Sequence, residues 1–285
     1  MQLLSFSLIP AGVEDVLTFI VLGSLSAILV SMTKAGFGGS LGILSFPLMV
    51  YACGGKAFLA GGIMLVLLIA CDLVAVVSWW RKWVYRAMML LLPGSMIGIV
   101  LGWIVMLALR RVENTHGGEF VRKQADSSLM LAVGLVAAAF VVLKVVGHLR
   151  ARAIAFRPTA WQGSAVGAAA GLTSTVAHAA GPVVTMYLLA QQMPKGQFVA
   201  TTVLFYAIVN QVKLIPYLSM GLINTQTLGA ALLLLPAVLA GTVLGLALHN
   251  RIKQRQFTGV IYTLLALAGG HMIYKGLIGL FFNGG

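Results

Sequence analysis

Long apolar runs alternate with short polar breaks along the whole chain. The runs fall at 13–33, 38–53, 57–78, 86–109 and 128–148, and after a basic break they recur at 160–177, 181–192, 197–219, 227–248 and 257–280. Most approach the ~20 residues that carry a helix across ~30 Å of hydrocarbon. The pattern therefore predicts an all-α membrane protein, a helical bundle. The second run of each series is too short for that task. Pro182 to Gln192 is 11 residues, about 16 Å of straight helix. Discontinuous or re-entrant short helices at the bilayer midplane are the expectation for these two segments.

The two series resemble each other. "GFGGSLGILSFP" (Gly36–Pro47) aligns with "GLTSTVAHAAGP" (Gly171–Pro182) at an offset of 135. "FLAGGIML" from Phe58 aligns with "FVATTVLF" from Phe198 at 140, and "LLLPGSMIGIVLG" with "LLLPAVLAGTVLG" at 143. Together they predict a duplication, with a first transmembrane repeat over 1–149 and a second over 150–285. Five runs per repeat is an odd number, so the two should be inverted with respect to the membrane. The basic loops agree. Arg81, Lys82 and Arg86, then Arg150, Arg152 and Arg157, then Arg251, Lys253 and Arg255 all become cytoplasmic if the N-terminus is outside. The loops at 79–86, 149–158 and 249–256 are thus expected inside. The loop at 110–127 lands outside and carries both signs of charge, including Glu113, Glu119 and Asp126.

Composition sharpens this picture. Of 285 residues, 60% are hydrophobic and only 9% charged, and mean hydropathy is +1.00, values of a polytopic membrane protein. The net charge of +13 is scattered between apolar runs, as in loops that face anionic lipid, and does not imply a nucleic-acid partner. Cys53 and Cys71 lie within apolar stretches and read as free core residues. The N-terminus lacks a basic signal-peptide segment, so the first run reads as a true span. No stretch reads as a soluble domain. No metal-ligand spacing, phosphate loop or serine–histidine–aspartate set is legible, so neither cofactor nor metal is expected, and no enzymatic role.

The candidate chemistry gathers at two glycine–proline breaks. Proline suits the first turn of a helix, so Pro47 and Gly181–Pro182 are each expected to open a short helix. A helix start inside the bilayer presents free N–H groups and a positive dipole end, which favours an anion. Candidate ligands at the first break are Lys34, Gly36, Gly38, Gly39 and Ser40; at the second, Thr173, Ser174, Thr175 and His178. Each has a plainer reading. The glycines serve close helix packing, as they do at Gly98–Gly102, Gly241–Gly245 and Gly163–Gly171. Lys34 snorkels to the membrane surface. The hydroxyls bond the preceding turn, and His178 is neutral and bonded to a carbonyl instead of coupling to protons.

A more specific signal is on run eight. Thr202, Tyr206, Asn210 and Lys213 are spaced four, four and three and share one helical face. Such a stripe must face protein or water. The matching face of run three, Gly62, Val66, Ala70 and Leu73, is blank, so the second repeat should supply most side-chain ligands. Asp72 is the only acid deep in a run; it pairs with Arg81 or Lys82, or else relays protons. Lys144 reads as snorkelling. His148, His249 and His271 lie near span ends and give no signal.

The K-x-G-F-G-G break with its "FPL" start, its second copy, and "NQVKLIPYLSMGLI" from Asn210 resemble the TauE/SafE sulfite exporter family, also called the toluene sulfonate uptake permease group. The likeness spans nearly the whole chain, although Thr173, Ser174 and Thr175 stand where the family has glycines. It implies a secondary transporter of sulfite, sulfonates or other small organosulfur or carboxylate anions in the bacterial inner membrane. The partners implied are a small anionic substrate and the lipid bilayer, with a homodimer allowed and no nucleic acid. A passive anion channel and an intramembrane enzyme or assembly factor are the competing classes. The last would need a nucleophile–base pair open to lipid, and none is legible.

Overall fold

The computed structural model describes residues 9–10, 13, 15–39, 42–54, 56–113, 127, 131, 135, 138, 142 and 159–281. The helices are α1 (Val16–Phe37), α2 (Gly42–Ala52), α3 (Ala57–Ser78), α4 (Tyr85–Glu113), α5 (Ala160–Ala177), α6 (Gly181–Leu189), α7 (Lys195–Ser219), α8 (Thr225–Arg251) and α9 (Gln254–Phe281). Among the described residues α1, α3, α7, α8 and the stretch Tyr85–Arg111 of α4 are long and apolar enough to cross a membrane. The chain is thus an all-helical, multi-pass membrane protein. The fifth apolar run and the basic cluster at 150–157 lie outside the described residues, apart from isolated helical positions such as Leu131 and Val142.

The helices begin where local chemistry lets them. Asp15 caps α1 by accepting the Thr18 amide at 3.0 Å. Thr159 and Gln162 form a reciprocal capping box on α5, and Asn224 and Thr227 form another on α8. Each satisfies amides that the first turn leaves without helical partners.

The short helices are as short as the apolar pattern implies, α2 with 11 residues and α6 with 9. Their prolines are not equivalent, however. Pro182 sits in the first turn of α6, as expected, while Pro47 is inside α2, which opens at Gly42. The expectation that Pro47 starts its helix is corrected. The reason is a shift of register between the breaks. The Thr33 hydroxyl bonds Leu29 O at 2.7 Å and Val30 O at 3.2 Å, and the Thr173 hydroxyl bonds Ala169 O and Ala170 O at the same two distances. The Gly38 and Gly39 amides return to Thr33 O; those of His178 and Ala179 return to Thr173 O. Structurally, then, the breaks correspond at an offset of 140, and Pro182 matches Gly42 instead of Pro47.

The chain packs as two compact units, one of 1–85 with 196–253, the other of 86–195 with 254–285. Each draws helices from both the N-terminal and the C-terminal series of apolar runs. In the first unit α1 packs most extensively on α8, because glycine allows the backbones to touch. A Cβ at Gly36 would collide with Gly245 O, and one at Gly241 with the backbone of Ile28. In the second unit Gly98 meets Ala168 and Gly102 meets Leu172 and Thr175 between α4 and α5. Gly98 and Gly241 are 143 positions apart, the offset of the matching LLLP segments, and Ile28 and Ala168 are 140 apart, the offset of the two breaks. These glycines do serve close packing. Cys53 and Cys71 are buried free thiols.

Candidate functional site

The polar residues of the first unit converge at the C-terminal end of α1. A helix end leaves carbonyls without partners and carries a partial negative charge. Lys34 lies in the last turn of α1, where a cation is favoured. Its side chain is 4% exposed, so it does not snorkel. It forms an ion pair with Asp72 of α3 at 2.6 Å. The other Asp72 oxygen accepts from Asn210 Nδ2 of α7 at 2.7 Å. The pairing of Asp72 with Arg81 or Lys82 is corrected: its partner is on the adjacent helix. Arg81 is nine positions further along the chain, beyond the end of α3, and Lys82 lies over the Trp79 ring, 5.3 Å from its centroid.

The run-eight stripe does face the protein. Thr202, Tyr206, Asn210 and Lys213 are all buried. Tyr206 lies beneath Lys34, with 5.6 Å from ammonium to ring centroid, and beside Gly39. Its hydroxyl is buried and has no hydrogen-bond partner among the described residues. Lys213 is fully buried, 5.6 Å from the Tyr217 ring centroid, and within electrostatic range of both Lys34 and Asp72. Helix α3 is less blank than its Gly62–Leu73 face suggests. Asp72, one position from Leu73, points into the cluster while Leu73 is exposed.

Two residues that periodicity does not flag hold the Lys34 turn in place. Trp79 Nε1 donates to Ala35 O at 2.9 Å, and His249 Nδ1 donates to Gly36 O at 2.8 Å. A carbonyl only accepts, so Nδ1 carries a proton. The two rings meet edge to face at 4.6 Å. Both lie at span ends, where tryptophan ordinarily reads as interface and histidine as surface; only the folded α1–α8 contact reveals their task. Gly36 is thus turned to α8, and the Gly38 and Gly39 amides cap Thr33.

The second-break residues belong to the other unit. The hydroxyls of Thr173 and Thr175 bond carbonyls of their own helix, Thr175 to Gly171 O at 2.8 Å. His178 ends α5 in the left-handed region at φ 50. Ser40 lies outside the described residues.

The protein-family model for the sulfite exporter TauE/SafE matches residues 24–272. The chain belongs to the TauE/SafE sulfite exporter family. The match runs from within α1 to within α9, and so includes the whole polar cluster. The TauE/SafE assignment makes the chain a membrane transport protein of an anion-exporting family, a role that suits buried cations in spanning helices. No curated protein and no solved structure matches it.

Proposed function

We propose that this TauE/SafE member is a secondary transporter of small organosulfur oxyanions such as sulfite, taurine and sulfoacetate, operating by alternating access of two inverted repeats. The observation that carries the reading is the buried cluster of Lys34, Asp72, Asn210, Lys213 and Tyr206. Two lysines and one carboxylate lie within spanning helices, together with a phenol whose hydroxyl has no hydrogen-bond partner among the described residues. A buried charge is tolerated where it serves a substrate path. An oxyanion head would accept from the Tyr206 hydroxyl and from both ammonium groups, and Asn210 would hold Asp72 aside. Thr202 lines the same face. Asp72 touches the cationic site directly and is the stronger of the two proton-coupling candidates; His178 has a capping role.

The test is counterflow in proteoliposomes with labelled sulfite, taurine, sulfoacetate and lactate. A carrier exchanges internal unlabelled for external labelled substrate. Flux without counterflow indicates a channel, and exchange of lactate alone moves the substrate class to carboxylates. We place the protein in the bacterial inner membrane with Arg81 and Lys253 cytoplasmic. Labelling of cysteines at those positions by an impermeant maleimide from outside would reverse that orientation.

A further inference from the structure

We propose that Thr185 on α6 is a substrate-binding hydroxyl, which together with the first-turn amides of α6 holds an oxygen of the transported oxyanion, and that Ser45 on α2 is its counterpart in the other unit. The inference rests on the anion-transport reading above and extends it beyond the Lys34–Asp72 cluster, to two residues that helical spacing does not single out.

Buried hydroxyls in these helices have a ready acceptor, the carbonyl of the preceding turn. Thr175 uses Gly171 O at 2.8 Å, Ser95 uses Leu91 O at 2.9 Å and Thr242 uses Val238 O at 2.8 Å. Thr185 and Ser45 are fully buried too, yet neither hydroxyl has a hydrogen-bond partner among the described residues. They occupy the same place in the two short helices: 185 − 45 = 140, the offset at which the breaks correspond. The backbone at Ser45 is held without its hydroxyl, since the Ser26 hydroxyl donates to Ser45 O at 2.6 Å. A buried hydroxyl without a partner lowers stability. Two of them at matching positions point to a shared use that packing does not supply.

The surroundings of Thr185 indicate its partner. Side chains on a helix lean towards its N-terminus, so Thr185 lies over Gly181, one turn before it. That turn, Gly181 to Val183, is buried. Ala180 gives it no side-chain cap, and the first backbone bond into the helix comes from the Val184 amide, to Ala180 O at 3.1 Å. Pro182 has no amide, so Gly181 and Val183 present the first-turn donors. Such donors beside a spare hydroxyl, at the positive end of a helix, suit the oxygens of an anion. Residues 127–285 contain no acidic residue, so α5, α6 and α9 bring no carboxylate of their own to this place.

Thr185→Val removes the hydroxyl and keeps the shape. Titration calorimetry with sulfite and with sulfoacetate on the detergent-solubilised full-length protein should show affinity falling about tenfold or more, the effect of one charge-assisted hydrogen bond. Thr185→Ser should restore it. The thermal midpoint of ligand-free Thr185→Val should be unchanged or higher, because a methyl group replaces an unpartnered buried hydroxyl. Ser45→Ala should shift affinity and midpoint in the same directions. Ser95→Ala, whose hydroxyl is already bonded within its helix, should leave affinity unchanged. Wild-type affinity in folded Thr185→Val overturns the inference, whatever its midpoint, and leaves the anion-transport reading standing. Wild-type affinity in Ser45→Ala overturns it for that residue. If Thr185→Val does not fold, Thr185→Ala takes its place, and failure of both to fold assigns the hydroxyl to the fold and overturns the inference. If the wild type binds neither sulfite, taurine nor sulfoacetate, the transport reading falls and this inference with it.

Discussion

The two helix breaks share a backbone and differ in chemistry. At each, a threonine hydroxyl bonds the turn before it, and two amides turn back to that threonine's carbonyl around a left-handed residue. At the first break two glycines are left-handed, Gly38, which abuts Phe198 and Thr202, and Gly39, and the residue after the threonine is Lys34. At the second the left-handed residue is His178 and the residue after the threonine is Ser174. Among the described residues an ion pair lies at the first, where Asp72 and the α7 stripe meet it. The two breaks thus keep the hydrogen bonds that a helix end requires, while side chains not needed for capping are free to differ.

The hardest test of that contrast replaces the two residues that follow the threonines. Lys34→Ala leaves the Asp72 carboxylate buried without its cation and should destabilise by about 3–5 kcal/mol. Ser174→Ala removes no charge and should lose about 1 kcal/mol or less, the scale of a neutral polar group. Chemical unfolding in detergent measures both, and Asp72→Asn added to Lys34→Ala should recover part of the loss. Equal losses at the two breaks would show that charge is not what separates them.

Lys213→Ala asks whether the site is for substrate. With the fold intact, anion uptake should fall by about thirtyfold to several-thousandfold, the effect of ~2–5 kcal/mol when one partner of a buried charge contact is removed. Asn210→Ala should lose about 1–3 kcal/mol by leaving Asp72 under-bonded. Normal uptake by both variants would detach the cluster from transport.

Gly38→Ala sharpens the steric half of the comparison. Its Cβ would lie 2.7 Å from the Phe198 ring and 2.9 Å from the Thr202 hydroxyl, at φ 68. Overpacking of this kind should destabilise by about 1–3 kcal/mol. His178→Gly is the reciprocal change and the smallest effect. A non-glycine residue at positive φ is strained, so glycine should be neutral or stabilise by up to about 1 kcal/mol. A clear loss in the melting curve of His178→Gly would mean that its side chain, not its backbone, matters at the second break.

Much of the architecture is legible in residue order because bilayer physics is one-dimensional. A helix needs a fixed length of apolar residues to cross, and the short second run of each series announces α2 and α6. The face shared by Thr202, Tyr206, Asn210 and Lys213 follows from helical spacing alone, and so does its burial, since a polar stripe does not face lipid. Tertiary structure decided the rest. Matching the prolines placed the two breaks five residues out of register, because the equivalence lies in capping bonds that Thr33 and Thr173 make and not in residue identity. Asp72 reads along the chain as a neighbour of Arg81 and Lys82, yet side-chain partners are chosen across helices, and Lys34 of α1 is nearer. Trp79 and His249 carry no periodic signal, because the carbonyls they hold belong to a helix more than forty residues from one and two hundred from the other. Which faces turn inward is a local property of spacing; which inward faces meet depends on how helices distant in sequence pack.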